Sequence, residues 1–217
     1  MDFTLVFPYL GFLGQAAWIT ILISVLALAL GLVLGLLAAI VKLSGIKPLV
    51  WGADFYVWVI RGTPVLVQLF LIYFGLPQLG IEIDAFTSAV LGLGVNAGAY
   101  IAEIFRGGIQ AVAKGQREAA SSLGMSYPKV LWRIVLPQAL RISVPALGNQ
   151  AVSMIKDSSL ASLVTVSELM MVAQRFAAGN FAFMEFYITV AVIYLMLTTV
   201  ASVLLNKFEK RMAVSER

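Results

Sequence analysis

Long unbroken apolar runs constrain this chain more than any other feature of it. Stretches of about 20 residues, the length at which a helix crosses a bilayer, recur along its 217 residues. In hydrocarbon every backbone N–H and C=O must find a partner within the protein, so only helices or closed barrels can span it. A barrel strand is shorter and alternates apolar with polar residues, which these runs do not. Composition agrees: 61% of the residues are hydrophobic and 12% charged, with a mean hydropathy of +0.96, values far from those of a soluble domain. The chain has neither Cys nor His, which excludes disulfides, thiol nucleophiles, imidazole catalysis and the usual zinc ligands. Its start, Met1-Asp2-Phe3-Thr4, lacks the basic flank of a cleavable signal segment, so the first run reads as a retained span.

An all-α membrane protein with about five spans follows, near residues 12–41, 51–77, 85–106, 138–158 and 184–206. Between the first two lies a basic turn, Lys42-Leu43-Ser44-Gly45-Ile46-Lys47-Pro48, whose Gly and Pro stop a helix. The second connection, Gly75 to Ala85, carries Glu82 and Asp84 but no base. The third is long and basic, with Lys114, Arg117, Lys129, Arg133 and Arg141. The fourth, after Lys156-Asp157, is mixed in charge, and the tail holds Lys207, Lys210, Arg211 and Arg217. Basic short loops stay on the cytoplasmic side, which puts the N-terminus outside and the C-terminus inside, as an odd number of spans requires. The net charge of +4 thus sits where orientation needs it and calls for no nucleic acid. Gly31 and Gly35, with Gly92, Gly94 and Gly98, mark surfaces thin enough for close helix packing. No internal repeat or linker divides the chain, so residues 1–217 form one membrane domain.

A polar island interrupts this pattern at about residues 107–137. Gln116 to Leu123 favours helix, with Glu118 in its first turn and Gly124 as the residue that ends it. Ser126 is placed to cap a second short helix that tolerates Pro128 in its first turn. Two short helices at an angle make a knob with a small-sided face, Ala119 and Ala120, and with Tyr127 and Trp132 as anchors at its rim. Leu136-Pro137 marks the hinge back into the membrane. No Gly-x-x-x-x-Gly-Lys-Ser/Thr loop or other phosphate cradle exists, so any ATP must be hydrolysed elsewhere.

The letters Glu118-Ala119-Ala120, three residues, Gly124, nine residues, Ile134, one residue, Leu136-Pro137 resemble the EAA coupling loop of ATP-binding-cassette (ABC) importer permeases. Arg61-Gly62-Thr63-Pro64 with Gln68, Asn96 to Glu103 with Arg106, Leu136-Pro137-Gln138-Ala139 and Lys156-Asp157-Ser158-Ser159-Leu160 are similar to the polar amino acid permeases among them. The resemblance covers nearly the whole chain from the first span onward. It implies the smaller type I importer fold, five spans around a pathway shared with a second permease subunit, identical or sister, in the bacterial cytoplasmic (inner) membrane. It further implies that the knob, through Glu118, Ala119, Ala120, Gly124, Leu136 and Pro137, docks on two separate ATPase subunits. These would bind the ATP, with no cofactor on this chain, while an external amino-acid-binding protein delivers substrate.

Charges inside a span are costly, roughly 2.5 to 3.5 kcal/mol at a helix centre, so Arg61, Glu103, Lys156 and Asp157 need an interior explanation. Adjacent Lys156 and Asp157 offer one complementary charge to each end of an amino acid zwitterion. The resemblance carries substrate contacts onto Asn96, Lys156 and Asp157, with Arg61 and Gln68 as further candidates. Thr63-Pro64 breaks helix regularity and frees backbone groups that suit a polar path. Competing readings stay open: Lys156-Asp157 as an interfacial pair reaching water, and Glu103 with Arg106 as a mutual pair three residues apart on one helix face. Asp54 reads as interfacial, and Ser167 as the cap of a short outer helix. The leading function is therefore the transmembrane, non-enzymatic subunit of an ATP-driven importer of a polar amino acid, with a neutral substrate such as cystine or glutamine favoured. An ion-coupled secondary transporter or channel is the alternative.

Overall fold

The architecture described here is a computed structural model, which describes residues 1–213; Arg217 of the basic tail lies outside the described residues. Among those residues all regular structure is helical. A short 3-10 turn, Phe3–Tyr9, leads into α1 (Leu10–Leu43). The later helices are α2 (Lys47–Gly62), α3 (Val65–Phe70), α4 (Ala85–Ala111), α5 (Lys114–Ser122), α6 (Tyr127–Val130), α7 (Leu136–Asp157), α8 (Leu169–Asn180) and α9 (Phe183–Ala213). Four helical stretches among the described residues are long and apolar enough to cross a membrane. The second expected span is broken, α2 and the stretch Val65–Leu79 meeting at 105°, and counting that pair as one span makes five.

The break follows from sequence. Proline disfavours helical backbone in the residue before it, and Thr63 is accordingly extended (φ −119°, ψ 146°). The carbonyls left open are claimed by Gln68, whose Nε2 donates to Ile60 O (2.8 Å), Thr63 O (3.1 Å) and Thr63 Oγ1 (2.9 Å). Prolines also explain two π-helical stretches, Leu71–Gly75 and Leu131–Val135. Each ends at a leucine followed by proline, Leu76-Pro77 and Leu136-Pro137, and that leucine donates five residues back, to Leu71 O and Leu131 O. At Leu136-Pro137 the helix absorbs the missing proline N–H by widening one turn and does not stop, whereas after Leu76-Pro77 it tightens into a 3-10 turn that ends at Gly80 (φ +79°). Leu136-Pro137 is therefore no hinge between separate elements: α6, the π stretch, α7 and a closing 3-10 stretch, Ser158–Val164, run on as one span-length helical segment, Tyr127–Val164, and the second short helix of the island is its first turn.

The bundle is organised about α1 against α4. A Cβ placed on Gly35 would stand 2.5 Å from Ile101 Cγ2 and 2.9 Å from Gly98 O, so only glycine allows this approach. Tyr56 of α2 closes over the seam by donating to Val95 O at 2.7 Å. Ile23, Ala27, Leu93, Ala97 and Ile101 fill the seam above and below, with Leu69 and Met154 joining from α3 and α7. Asp84 opens α4 by accepting from Thr87 N (3.0 Å), and these Thr87 hydrogen bonds hold its carboxyl below the usual carboxylate range.

A second, smaller core joins α1, α8 and α9 through Leu13, Leu169, Ala173 and Phe186. Here Glu168, not Ser167, caps the short helix. It is fully buried, accepts from Met171 N (2.8 Å) and Tyr194 Oη (2.8 Å), and lies 3.3 Å from the Thr20 hydroxyl. Serine is the usual cap, but Ser167 points outward, whereas the longer Glu side chain reaches partners on α1 and α9 as well as its own helix.

Two outcomes test this packing. Gly35→Leu should lower the thermal unfolding midpoint of the detergent-solubilised protein, overpacking of this kind costing about 1–3 kcal/mol. Gln68→Leu keeps the volume but strips the donors from two carbonyls and should destabilise by about 1–3 kcal/mol in the same assay, whereas Gln68→Glu protonated at low pH recovers part of the loss.

Candidate functional site

The broken backbone after Gly62 forms one wall of an open cavity of about 550 Å³ between α2, α4 and α7. Arg61, Thr63 and Pro64 line it from the break, Asn96 and Tyr100 from α4, and Gln150, Ser153 and Asp157 from α7. Asn96 and Tyr100 are four apart, and Gln150, Ser153 and Asp157 fall three and four apart, so each helix turns a single polar stripe inward. Tyr100, Gln150 and Ser153 were not singled out from sequence. Counting back from Asp157 in helical steps finds Gln150 and Ser153, and counting on from Asn96 finds Tyr100.

Of the five residues expected to bind substrate, three line this space: Arg61, Asn96 and Asp157. Gln68 does not. It is buried behind the wall, its amide N–H groups spent on the break, while its Oε1 accepts from Asn96 Nδ2 at 3.1 Å and fixes that side chain. Lys156 is not among the lining residues, and among the described residues no ion pair joins it to Asp157. Neighbours on a helix point about 100° apart, so a stripe that contains Asp157 turns Lys156 away.

The second charge in the cavity is Arg61, whose guanidinium carbon lies 5.3 Å from the centre of the Tyr100 ring. Arg61 also reaches to 3.8 Å from Glu103 Oε2. Glu103 is held more tightly by Arg106 Nη2 (2.6 Å) and Lys42 Nζ (2.9 Å), and Lys42 is bridged in turn to Asp54 (3.0 Å). The Glu103–Arg106 pair expected three residues apart is thus one edge of a network tying the ends of α1 and α4 to α2. Asp54, half-exposed at its side chain, belongs to that network.

The island forms a knob with a single free helix. α5 starts at Lys114, two residues earlier than expected, which moves Glu118 out of the first turn. Gly124 ends it at φ +76°, with Met125 N donating to Ala120 O (3.2 Å) and Gly124 N to Ser121 O (2.9 Å), the paired bonds of a Schellman cap. Ser126 stands extended at the N-cap of α6, but its side chain makes no capping hydrogen bond. Glu118, Ala119 and Leu123 are exposed, as are Tyr127 and Trp132. Ala120 is not: it packs inward on Val130 and Val135, so the small-sided outer face consists of Ala119 and not of both alanines.

Sequence and structural comparisons agree with this geometry. A family model described as "binding-protein-dependent transport system inner membrane component" matches residues 31–214. The glutamine transport system permease protein GlnP of Escherichia coli (strain K12) is 43% identical over 215 residues, 98% of each chain. The arginine transport system permease protein ArtQ of Bacillus subtilis (strain 168) is 37% identical over 98% of this chain and 97% of its own. A solved amino acid ABC transporter with histidines contains a chain 42% identical that superposes with a TM-score of 0.94, covering 97% of this chain and 99% of that one. A chain of the inward-facing MetNI methionine ABC transporter, at 20% identity and a TM-score of 0.79, shares the fold. This chain is an all-helical, multi-pass membrane protein, and it belongs to the family of binding-protein-dependent transport system inner membrane components.

Proposed function

We propose that this chain is the transmembrane subunit of an ATP-driven importer that carries a polar amino acid across the bacterial inner membrane. It receives the amino acid from an external binding protein and is coupled to a separate ATPase. The observation that carries the reading is the pairing, on one helical frame, of a polar cavity roomy enough for an amino acid with a Schellman-capped knob whose outer face is exposed. Relatives named for glutamine, arginine and cystine support an amino acid as the cargo. Two ATPase subunits and a second permease subunit, identical or sister, complete the assembly. ATP binds on the ATPases and no cofactor on this chain, whose role is transport and not catalysis. Its N-terminus lies outside and its C-terminus inside.

In this account Asp157 takes the ammonium and Arg61 the carboxylate, the latter freed from its long contact with Glu103 when substrate arrives. Asn96, Gln150 and Ser153 are left for the side chain, and their amides and hydroxyl favour a neutral polar substrate of the glutamine kind. Among the described lining residues Asp157 is the lone carboxylate, and a cationic side chain would need a second. Glu118, Ala119, Leu123 and the Gly124 cap meet the ATPase, while Ala120, Leu136 and Pro137 serve from within by fixing the knob to α7. A secondary transporter would call on Glu103 as its ion site, but three bases already surround that carboxylate.

Two variants separate the cavity from the knob in proteoliposomes that hold the complete complex. Asp157→Asn should weaken amino acid binding about ten- to a hundredfold, the factor for a lost charge-assisted hydrogen bond worth roughly 1.5–3 kcal/mol, with assembly intact. Gly124→Asp, which forces a side chain into the left-handed region, should leave binding unchanged and abolish ATP-driven uptake. Wild-type affinity in the first would remove Asp157 from the site, and wild-type uptake in the second would remove the cap from coupling.

A further inference from the structure

At the end of the bundle that carries the basic loops, a second cavity of about 300 Å³ opens between α1, α4 and the start of α5. Lys42, Arg106, Gln110 and Arg117 form its polar side. Lys42 and Arg106 share Glu103, and Lys42 also meets Asp54, so three cations stand against two carboxylates. The surplus charge is on Arg117, which has no carboxylate partner among the described residues. Its Nη2 donates to Ile109 O (2.5 Å), and its Nε is the one buried side-chain polar atom among the described residues without a hydrogen-bond partner.

The apolar side of this cavity does not end there. Ala39, Leu43 and Ile109 are shared with a narrow, wholly apolar groove that continues along α1, α4 and α7 past Leu36, Ile40 and Leu140. Those three are exposed on the outer surface of the spans, and Ile40 and Leu36 lie about half a turn and about one and two-thirds turns from Lys42 in the direction of the membrane interior. A cationic pocket at the loop end of the spans, opening into an apolar groove that runs towards mid-bilayer, has the polarity of a phospholipid and not of a free anion.

We propose that this composite groove is a binding site for one anionic phospholipid, its headgroup phosphate on Arg117, Arg106 and Lys42 and an acyl chain against Ile40, Leu36 and Leu140. The lipid would complete the hydrogen bonding of Arg117, the residue immediately before Glu118, and so brace α5 against the ends of α1 and α4. This site is separate from the substrate cavity and does not depend on which solute is carried.

The test is native mass spectrometry of the full chain, with whatever partners co-purify, released from vesicles of mixed phosphatidylcholine and phosphatidylglycerol. The wild type should retain one phosphatidylglycerol per chain in preference to phosphatidylcholine. Arg117→Gln should reduce that retention about fivefold, the factor for about 1 kcal/mol per base at an anionic surface, with Arg117→Lys largely preserving it. Ile40→Trp, at an exposed position that lines the apolar groove and not the cationic pocket, should also reduce it. This second variant decides the matter if Arg117→Gln does not assemble. Lys129→Gln, an exposed base outside the cavity, serves as the control for general surface charge. Retention unchanged in Arg117→Gln and Ile40→Trp, or lost equally in Lys129→Gln, would overturn the proposal. Displacement of the lipid by millimolar inorganic phosphate, with no effect of Ile40→Trp, would assign the pocket to a free anion instead.

Discussion

Hydrocarbon offers a broken helix no water, so the carbonyls freed by the interruption after Gly62 have to be answered from inside the protein, and Gln68 answers them. One amide satisfies the carbonyls of Ile60 and Thr63 and at the same time anchors Asn96. Everything polar in the candidate site is arranged around that repaired gap. α2 and α3 turn through 105° at it, the cavity opens beside it, and Arg61 is delivered to the cavity by the last turn before it. The α1–α4 glycine seam supplies the rigid surface on which such a bend can be held, since backbones in direct contact leave little room for adjustment.

The cavity and the knob are joined by two routes. One is covalent: α7 carries Asp157 near one end and grows at the other out of the π stretch and first turn that pack on Ala120. The other is electrostatic: Arg61 reaches Glu103, and Glu103 holds Lys42 and Arg106 at the ends of α1 and α4, where Arg117 of α5 packs. In the proposed function these are the two paths, a continuous helix on one side and a network of charges on the other, by which a movement of the knob would reach the cavity. The asymmetry in that network matters, because Glu103 has two close partners and Arg61 is the distant third. The weakest link is the one that touches the cavity.

Much of this was legible in the residues. The spans follow from run length, the knob from its Gly and Pro punctuation, and the break from Thr63-Pro64. What was not legible shares one cause: identical side-chain chemistry serves a ligand or the backbone, and only tertiary placement decides which. Gln68 is a candidate substrate contact by the resemblance alone, but its amide is spent on the carbonyls orphaned at the break. Lys156 and Asp157 were read together because they are adjacent, and helical geometry separates them. Ala120 looked like a partner surface because it is small, when smallness instead lets it face inward on Val130 and Val135. Glu168 displaced Ser167 as the cap because Thr20 and Tyr194, far away in sequence, make a buried carboxylate tenable there. Leu136-Pro137 was read as a hinge, and a widened turn keeps that helix continuous.

Whether ATP hydrolysed by a partner drives an amino acid through this chain can be measured as uptake into sealed proteoliposomes. These would contain the purified permease with its co-purifying ATPase, and labelled glutamine would be offered with the binding protein outside. Accumulation should require ATP inside the vesicle and survive ionophores that collapse every ion gradient. Accumulation by the permease alone, without ATP and abolished by those ionophores, would contradict ATP-driven import and make the chain a secondary transporter.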